Sequence, residues 1–186
     1  MEDSRDIITE RLRLTPWTAS EEDVKGLYAW ASNPNVGPNA GWKPHESLEE
    51  SRNIIEKVFI ASRDAYAIRD KETNEIIGNI SIYEDDAREN VASMEIGYAL
   101  AEERWGQGLM TEACKAIMDY AFNKYDLVIM AIRTSEVNAR SQRVIEKCGF
   151  TYEGTLRKAY HIYTGFDRDS RLYSITREEW LKQNEK

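Results

Sequence analysis

The stretch from Val91 to Ile132 limits the fold more than any other. Met94, Ile96, Tyr98 and Leu100 alternate with Ser93, Glu95, Gly97 and Ala99, which predicts a strand with one apolar face and one small-residue face. Glu95 is the one ionised group on that second face. A glycine-bearing turn follows, and Leu109, Ala113, Ala116, Ile117, Tyr120 and Ala121 then recur at helical spacing, giving an amphipathic helix to about Lys124. Val128 to Ile132 is a short, nearly uninterrupted apolar run of the type buried on both faces. Strand, helix and strand in this order make a right-handed crossover that places two parallel strands in one sheet.

The flanking segments carry ordinary start and stop signals. Ile8, Leu12 and Leu14 read as a first strand ending near Pro16. Ser20 caps a helix that runs to about Ser32 and stops at Asn33-Pro34-Asn35. Residues 33–46 form a loop around Trp42, a candidate binding lip. Ser47-Leu48-Glu49-Glu50 is a capping box for a second helix, with Leu48, Ile54, Ile55, Val58 and Phe59 as its apolar stripe. Tyr66–Arg69 and Ile76–Tyr83 read as a hairpin. Asn138 caps a further helix with Val144, Ile145 and Cys148 inward and Gly149 at its stop. Strands over about 150–158 and 166–175 and a helix from Thr176, boxed by Glu179, close the chain. With 186 residues and no repeat or linker, one domain over 1–186 is expected, its core spanning about 7–183.

Charge and cysteine usage narrow the function classes. The 25 basic and 33 acidic residues leave a net charge of −8 with no Lys/Arg block, which argues against a nucleic-acid partner. No apolar run approaches the roughly 18 residues of a membrane span, and Met1-Glu2-Asp3-Ser4-Arg5-Asp6 has no signal-peptide core, so a cytoplasmic protein without a membrane partner is expected. Cys114 and Cys148 are far apart in sequence and form no ligand cluster with His45 and His161; reduced buried thiols and no metal are expected.

Chemistry concentrates at Glu102-Glu103-Arg104-Trp105-Gly106-Gln107-Gly108-Leu109-Met110-Thr111-Glu112-Ala113. Unpaired amides and a positive dipole at the helix start could hold a diphosphate, with the glycines allowing close approach; the same glycines could also serve only a tight turn. No G-x-x-x-x-G-K-[ST] is present, and Thr111 breaks G-x-G-x-x-G. Glu95, beside Gly97, could take a proton from a bound ammonium directly or through one water; its plain alternative is a solvated acid on an exposed strand face.

Trp105-Gly106-Gln107-Gly108-Leu109-Met110 with Thr111-Glu112-Ala113, then Asn138-Ala139-Arg140-Ser141 and Lys147-Cys148-Gly149-Phe150, resembles the acyl-coenzyme-A-binding signature of the GNAT N-acetyltransferases. Thr9-Glu10-Arg11-Leu12-Arg13-Leu14, Glu153-Gly154-Thr155-Leu156-Arg157 and Tyr173-Ser174-Ile175 are similar to the subgroup that acetylates ribosomal-protein N-termini. In the signature Q/R-x-x-G-x-G/A, Trp105 takes the first place and Met110 the last, and Gly108 alone matches. That departure removes a side-chain phosphate contact and leaves the main-chain amides.

The resemblance implies an α+β fold: one GNAT-type domain with a mixed, mostly antiparallel twisted sheet of about seven strands, flanked by helices and splayed between the fourth and fifth strands. It implies acetyl-CoA as cosubstrate, its pyrophosphate on the amides of Gly106, Gln107, Gly108, Leu109, Met110 and Thr111. Its pantetheine arm would run along Ile96, Gly97 and Tyr98, with Asn138 helping to hold it. Glu95 is then the candidate base, Ser141 the candidate donor to the departing thiolate, and an amide near Gly97 the oxyanion partner. Trp42 and His45, with Glu95, would shape the acceptor cleft, although His45 also reads as a solvated loop histidine. Tyr98 and Tyr152 read as core or rim aromatics. The acceptor would be a peptide N-terminus or a small amine such as a polyamine, amino acid or amino sugar, and a homodimer is admitted. A non-catalytic acyl-CoA-binding sensor is the alternative from another class.

Overall fold

Period-two alternation sorts the apolar residues onto two faces of a single sheet. The computed structural model describes residues 5–62 and 64–185; Met1 to Ser4, part of the chain start read above, lie outside the described residues. The strands are β1 (Ile7–Ile8), β2 (Leu12–Pro16), β3 (Ala65–Asp70), β4 (Ile76–Glu84), β5 (Ser93–Leu100), β6 (Ile129–Ser135), β7 (Thr151–His161) and β8 (Asp167–Thr176). They lie in the order β1-β2-β3-β4-β5-β6-β8-β7, and β5–β6 is the parallel pair in an otherwise antiparallel sheet. Eight strands are present among the described residues where about seven were expected. The extra one arises because the run Ile8 to Leu14 folds back on itself: Thr9 exchanges backbone and hydroxyl hydrogen bonds with Leu12, so Ile7 pairs with Leu14.

Helices cover both faces. On one side α4 (Leu109–Lys124) packs Ala113, Ile117, Ala121 and Phe122 onto Leu14, Ile68, Ile80, Ile96 and Ile132. On the other, α1 (Glu21–Ala31) and α3 (Leu48–Ile54) with the residue that follows it bury Leu27, Trp30 and Ile55 against Ala65, Ala67 and Trp17. The alternation of β3 explains the asymmetry: Tyr66 and Ile68 serve the α4 face, while small Ala65 and Ala67 let α1 approach. Helix α5 (Ala139–Lys147) follows β6, and α6 (Arg177–Asn184) opens with the full Thr176–Glu179 capping box.

Three local expectations are corrected. Residues 33–46 contain one helical turn, α2 (Gly37–Ala40), started by Pro38. The Ser47 box is only half formed: Ser47 accepts from the Glu50 amide, but the Glu50 carboxylate takes the Glu46 amide at 2.7 Å. Beyond Ile54 the helix widens into a π-helical turn over Ile55–Phe59, which rotates the apolar stripe out of phase and leaves Val58 exposed; Leu48, at the helix start, is exposed as well.

Both ends of α4 are tied down by acids, the half-buried Glu112 and the buried Asp64. Glu112 accepts from the Thr9 hydroxyl at 2.6 Å, the Arg11 amide at 2.8 Å and Arg11 Nε at 2.7 Å, while Arg11 Nη1 reaches the Gln107 carbonyl at 3.0 Å. At the other end Asp64 accepts from Tyr125, from Tyr120 at 2.9 Å and from Lys124 at 3.1 Å. Burial opposes ionisation of both acids, yet these donors hold each pKa below its ordinary value. A depressed carboxylate stabilises the fold above its unfolded pKa and loses that contribution as pH falls through the folded one. Glu112→Gln is therefore expected to lower the urea midpoint at neutral pH and to flatten the loss of stability below about pH 4.5, the ordinary glutamate value; parallel curves for the two proteins down to pH 3 would show that the acid does not carry this clamp.

Candidate active site

The turn between β5 and α4 is shaped by two left-handed glycines. Gly106 (φ 76°) and Gly108 (φ 79°) adopt a conformation that L side chains avoid, and a Cβ on Gly106 would meet no atom within 4 Å. Open space therefore lies directly above the backbone. Among the described residues, the amides of 106 to 111 have no partner; the first bonded amide is Glu112, which donates to the Gly108 carbonyl at 3.1 Å. Trp105, at the first signature position, is pinned through its indole N–H to the Leu100 carbonyl at 2.8 Å. The Arg140 guanidinium lies 4.5 Å above the Trp105 ring. Arg140, Arg143 and Lys147, spaced along one side of α5, line the same opening and make no salt bridge among the described residues.

The two central strands part at this point. β5 and β6 pair from Ser93–Ile129 to Ile96–Ile132 and no further, although β5 stays paired with β4 to Leu100 and β6 with β8 to Ser135. Strand backbone from Gly97 onward thus faces a gap. Tyr98 and the start of α5 occupy its α4 side: the Tyr98 hydroxyl lies 2.9 Å from Ser141 Oγ, and Asn138 accepts from the Ser141 amide as helix cap. Burial pushes the Tyr98 phenol well above its ordinary pKa, so it stays protonated. Tyr98 is thus a core aromatic, as read, with a polar tip at the gap.

Two clefts meet there. One, of about 370 Å³, is bordered by Trp105, Gly106, Gly108–Thr111 and α5. The other, of about 740 Å³, opens on the α1/α3 face and contains Trp30, Trp42, Asn79, Tyr83, Glu95 and Arg133. Tyr98, Asn138 and Ser141 belong to both. Gln107 stands apart from the first cleft's lining; its side chain turns back to the Glu103 carbonyl at 2.9 Å.

Glu95 is 2% exposed, so the reading of a solvated strand acid is overturned. Its Oε1 accepts from Arg133 Nε and from the Tyr83 hydroxyl, each at 3.0 Å. Oε2 stands 2.7 Å from Arg133 Nη2 as an ion-pair contact without hydrogen-bond geometry, which leaves a lone pair there uncommitted. Tyr83 can reach Glu95 because it lies over Gly97: a Cβ on Gly97 would come within 2.8 Å of the Tyr83 ring. Arg133 also pairs with Asp86 at 2.8 Å, and Arg88 with Asp85 at 2.8 Å, so two guanidiniums offset the three carboxylates Asp85, Asp86 and Glu95.

His45 is likewise buried, at 8% exposure, and not solvated. Its Nδ1 shares a 2.8 Å hydrogen bond with Ser51, its ring packs on Trp42 at 5.4 Å, and burial lowers its pKa, so the imidazole is neutral at pH 7. Tyr83, Arg133, Trp30 and Asn79 escaped the sequence reading. Tyr83 sits directly opposite Glu95 in the β4–β5 register, but the long 85–92 connection hides that register from the sequence. Cys114 and Cys148 are buried free thiols, as expected.

Comparison with known proteins places this geometry. The acetyltransferase (GNAT) domain family matches residues 11–151. The uncharacterized protein YkkB of Bacillus subtilis is 42% identical over 160 residues, covering 82% of this chain and 88% of its own. The ribosomal-protein-serine acetyltransferase of Escherichia coli is 28% identical over 172 residues, covering 90% and 93%. A GNAT-family acetyltransferase structure from Bacillus anthracis superposes with a TM-score of 0.80 at 22% identity, covering 93% and 99%.

Removing Arg133 would strand a buried carboxylate. Arg133→Met is expected to destabilise the protein by about 3 kcal/mol in urea unfolding, with part of the loss recovered in the Arg133→Met/Glu95→Gln double variant. Additive losses in the two variants would mean that the pair is not coupled.

Proposed function

The chain belongs to the GNAT acetyltransferases and is an acetyl-CoA-dependent acyltransferase, and from that premise we propose that it acetylates a primary amine by direct transfer where its two clefts join. The carrying observation is the shared border: Tyr98 and Ser141 line both the cleft with unpaired helix-start amides and the cleft that contains Glu95.

The residues present fit acetyl-CoA. The amides of 106 to 111 suit a diphosphate, and Arg140, Arg143 and Lys147, which make no salt bridge among the described residues, suit further phosphate charge. Backbone of β5 beyond Ile96, unpaired toward β6, suits the amides of the pantetheine arm. When bound, acetyl-CoA supplies an acyl group activated as a thioester. Glu95, in the lining of the larger cleft, takes the proton of the acceptor ammonium directly or through one water. Arg133 and Tyr83 hold that carboxylate ionised and oriented. Ser141 donates to the departing sulfur and regains its proton from solvent, with the Tyr98 hydroxyl 2.9 Å away holding Oγ in place. The Gly97 amide is the candidate oxyanion donor. Trp42 and His45 shape the acceptor end. The acceptor is a peptide α-amine, in keeping with the ribosomal-protein-serine acetyltransferase relative, or a small amine of similar reach.

Acetyl-CoA is expected to raise the unfolding temperature, and an amine panel is expected to release free thiol only when both substrates are present. Protection without amine-dependent thiol release would support a binding module instead. Ser141→Ala should slow turnover by about 10²-fold, and Glu95→Gln should slow it most at lower pH, where the acceptor is protonated, with acetyl-CoA affinity nearly unchanged in both. Unaltered kinetics in either variant would remove that residue from its role.

A further inference from the structure

Helix α5 carries cations that the fold itself does not use. Arg11, Arg52, Arg69, Arg88, Arg104 and Arg133 each pair with a carboxylate. Arg140, Arg143 and Lys147 make no salt bridge among the described residues, although the chain as a whole carries a charge of −8. They stand at i, i+3 and i+7, which sets them along one side of α5, and all three line the cleft that holds the glycine turn. Arg143 and Lys147, one helical turn apart, repel each other until an anion lies between or over them.

Arg140 is the member whose position is fixed. Its guanidinium lies 4.5 Å over the Trp105 ring, and Trp105 is itself pinned by its indole N–H to the Leu100 carbonyl at 2.8 Å. Stacking on a ring face uses none of the guanidinium N–H groups, so the fork keeps its donors for a ligand. Glu102, an acid in electrostatic contact with Arg140, accepts from the Asn33 amide at 2.9 Å and from Asn35 on both oxygens, and among the described residues takes no hydrogen bond from Arg140.

The ridge also has a direction. Arg140 precedes Ser141, which lies where the two clefts join, and it stands over Trp105, just ahead of the free amides of 106 to 111. At the other end Cys148, next to Lys147, lies 3.8 Å from the Thr111 carbonyl. Helix α5 therefore runs beside the glycine turn from Trp105 to Thr111, and the axial rise from Arg140 to Lys147 is about 10 Å. A ligand passing from the gap over the turn meets Arg140 first and Lys147 last.

Coenzyme A carries its anions in a matching order: a diphosphate next to the pantetheine arm and a phosphomonoester on the ribose beyond it. Resting on the acetyl-CoA reading, we infer that α5 reads these two groups separately: Arg140, held on Trp105, clamps the diphosphate against the amides of 106 to 111, while Arg143 and Lys147 take the ribose phosphate and select the coenzyme over its dephospho form. Trp105 is then a positioning residue, and its place in the glycine turn is what brings a guanidinium from another helix to the diphosphate.

Coenzyme A and dephospho-coenzyme A, which lacks only the ribose phosphate, test this by calorimetry without turnover. The native protein is expected to bind coenzyme A about 10-fold tighter than the dephospho form. Arg140→Met should weaken both ligands by about 10-fold and leave their ratio unchanged. The Arg143→Gln/Lys147→Gln double variant should weaken coenzyme A alone and bring the ratio close to one. Trp105→Leu, which removes the platform, should weaken both ligands, and adding Arg140→Met to it should cost little more. A circular dichroism spectrum matching the native protein qualifies Trp105→Leu; if it does not fold, the Arg140→Met series decides alone. Equal native affinity for the two ligands overturns the inference and leaves the acetyl-CoA reading standing, whereas binding of neither ligand removes that reading. The inference is also overturned by a loss confined to coenzyme A in Arg140→Met, by an equal loss for both ligands in the Arg143/Lys147 variant, or by unchanged affinities in either. Full additivity of Trp105→Leu and Arg140→Met overturns the stacked clamp.

Discussion

The loss of pairing between β5 and β6 beyond Ile96 and Ile132 is the constraint on which the site depends. Parting two strands in the middle of a sheet would ordinarily strand backbone groups at a cost. Here each strand keeps its neighbour on the other side, β4 for β5 and β8 for β6, so only one row of groups faces the gap. Tyr98 and the first turn of α5 fill one side of the opening through the Tyr98–Ser141 contact. The other side is left to the acceptor cleft. A row of unsatisfied strand groups ending near the free amides of α4 is a surface that suits a long, amide-bearing ligand.

Such a surface is useful only if α4 is stationary. The helix spans 16 residues, and its apolar stripe alone would permit small shifts along the sheet. The bonds from Thr9 and Arg11 to Glu112 fix its first turn to the β1–β2 hairpin, and Asp64 gathers Tyr120, Lys124 and Tyr125 at its last turn. Arg11 also holds the Gln107 carbonyl, tying the glycine turn to the same clamp. The Thr9-Glu10-Arg11 stretch, legible only as part of a family resemblance, thus has a physical role.

Glu95 shows how far residue patterns reach. Alternation along β5 correctly placed it opposite Ile96 and Tyr98, on the small-residue face. Its burial and its partners were illegible, because Tyr83 and Arg133 arrive from strands separated from it by 12 and 38 residues and no local rule sets those registers. The same limit hid Trp30 and Asn79, which read as ordinary core and strand residues and come to line one cleft only when α1 lies across β4. His45 was misread for a related reason: loop composition suggests exposure, whereas contact with Ser51 and Trp42 buries it.

The amino-acid order by itself determined the β5–α4–β6 crossover, the helix starts at Ser20, Asn138 and Thr176, and the glycine turn with open amides. Each of these follows from interactions within a few residues: side-chain alternation, a hydroxyl or amide reaching a nearby N–H, and the access of glycine to positive φ. Tertiary structure decided what faces the gap in the sheet: a carboxylate buried against a guanidinium, and two clefts joined at Tyr98 and Ser141. Those outcomes depend on the register between strands and on how helices lie across them, which are set by packing summed over the whole core and leave no mark in any short stretch of sequence.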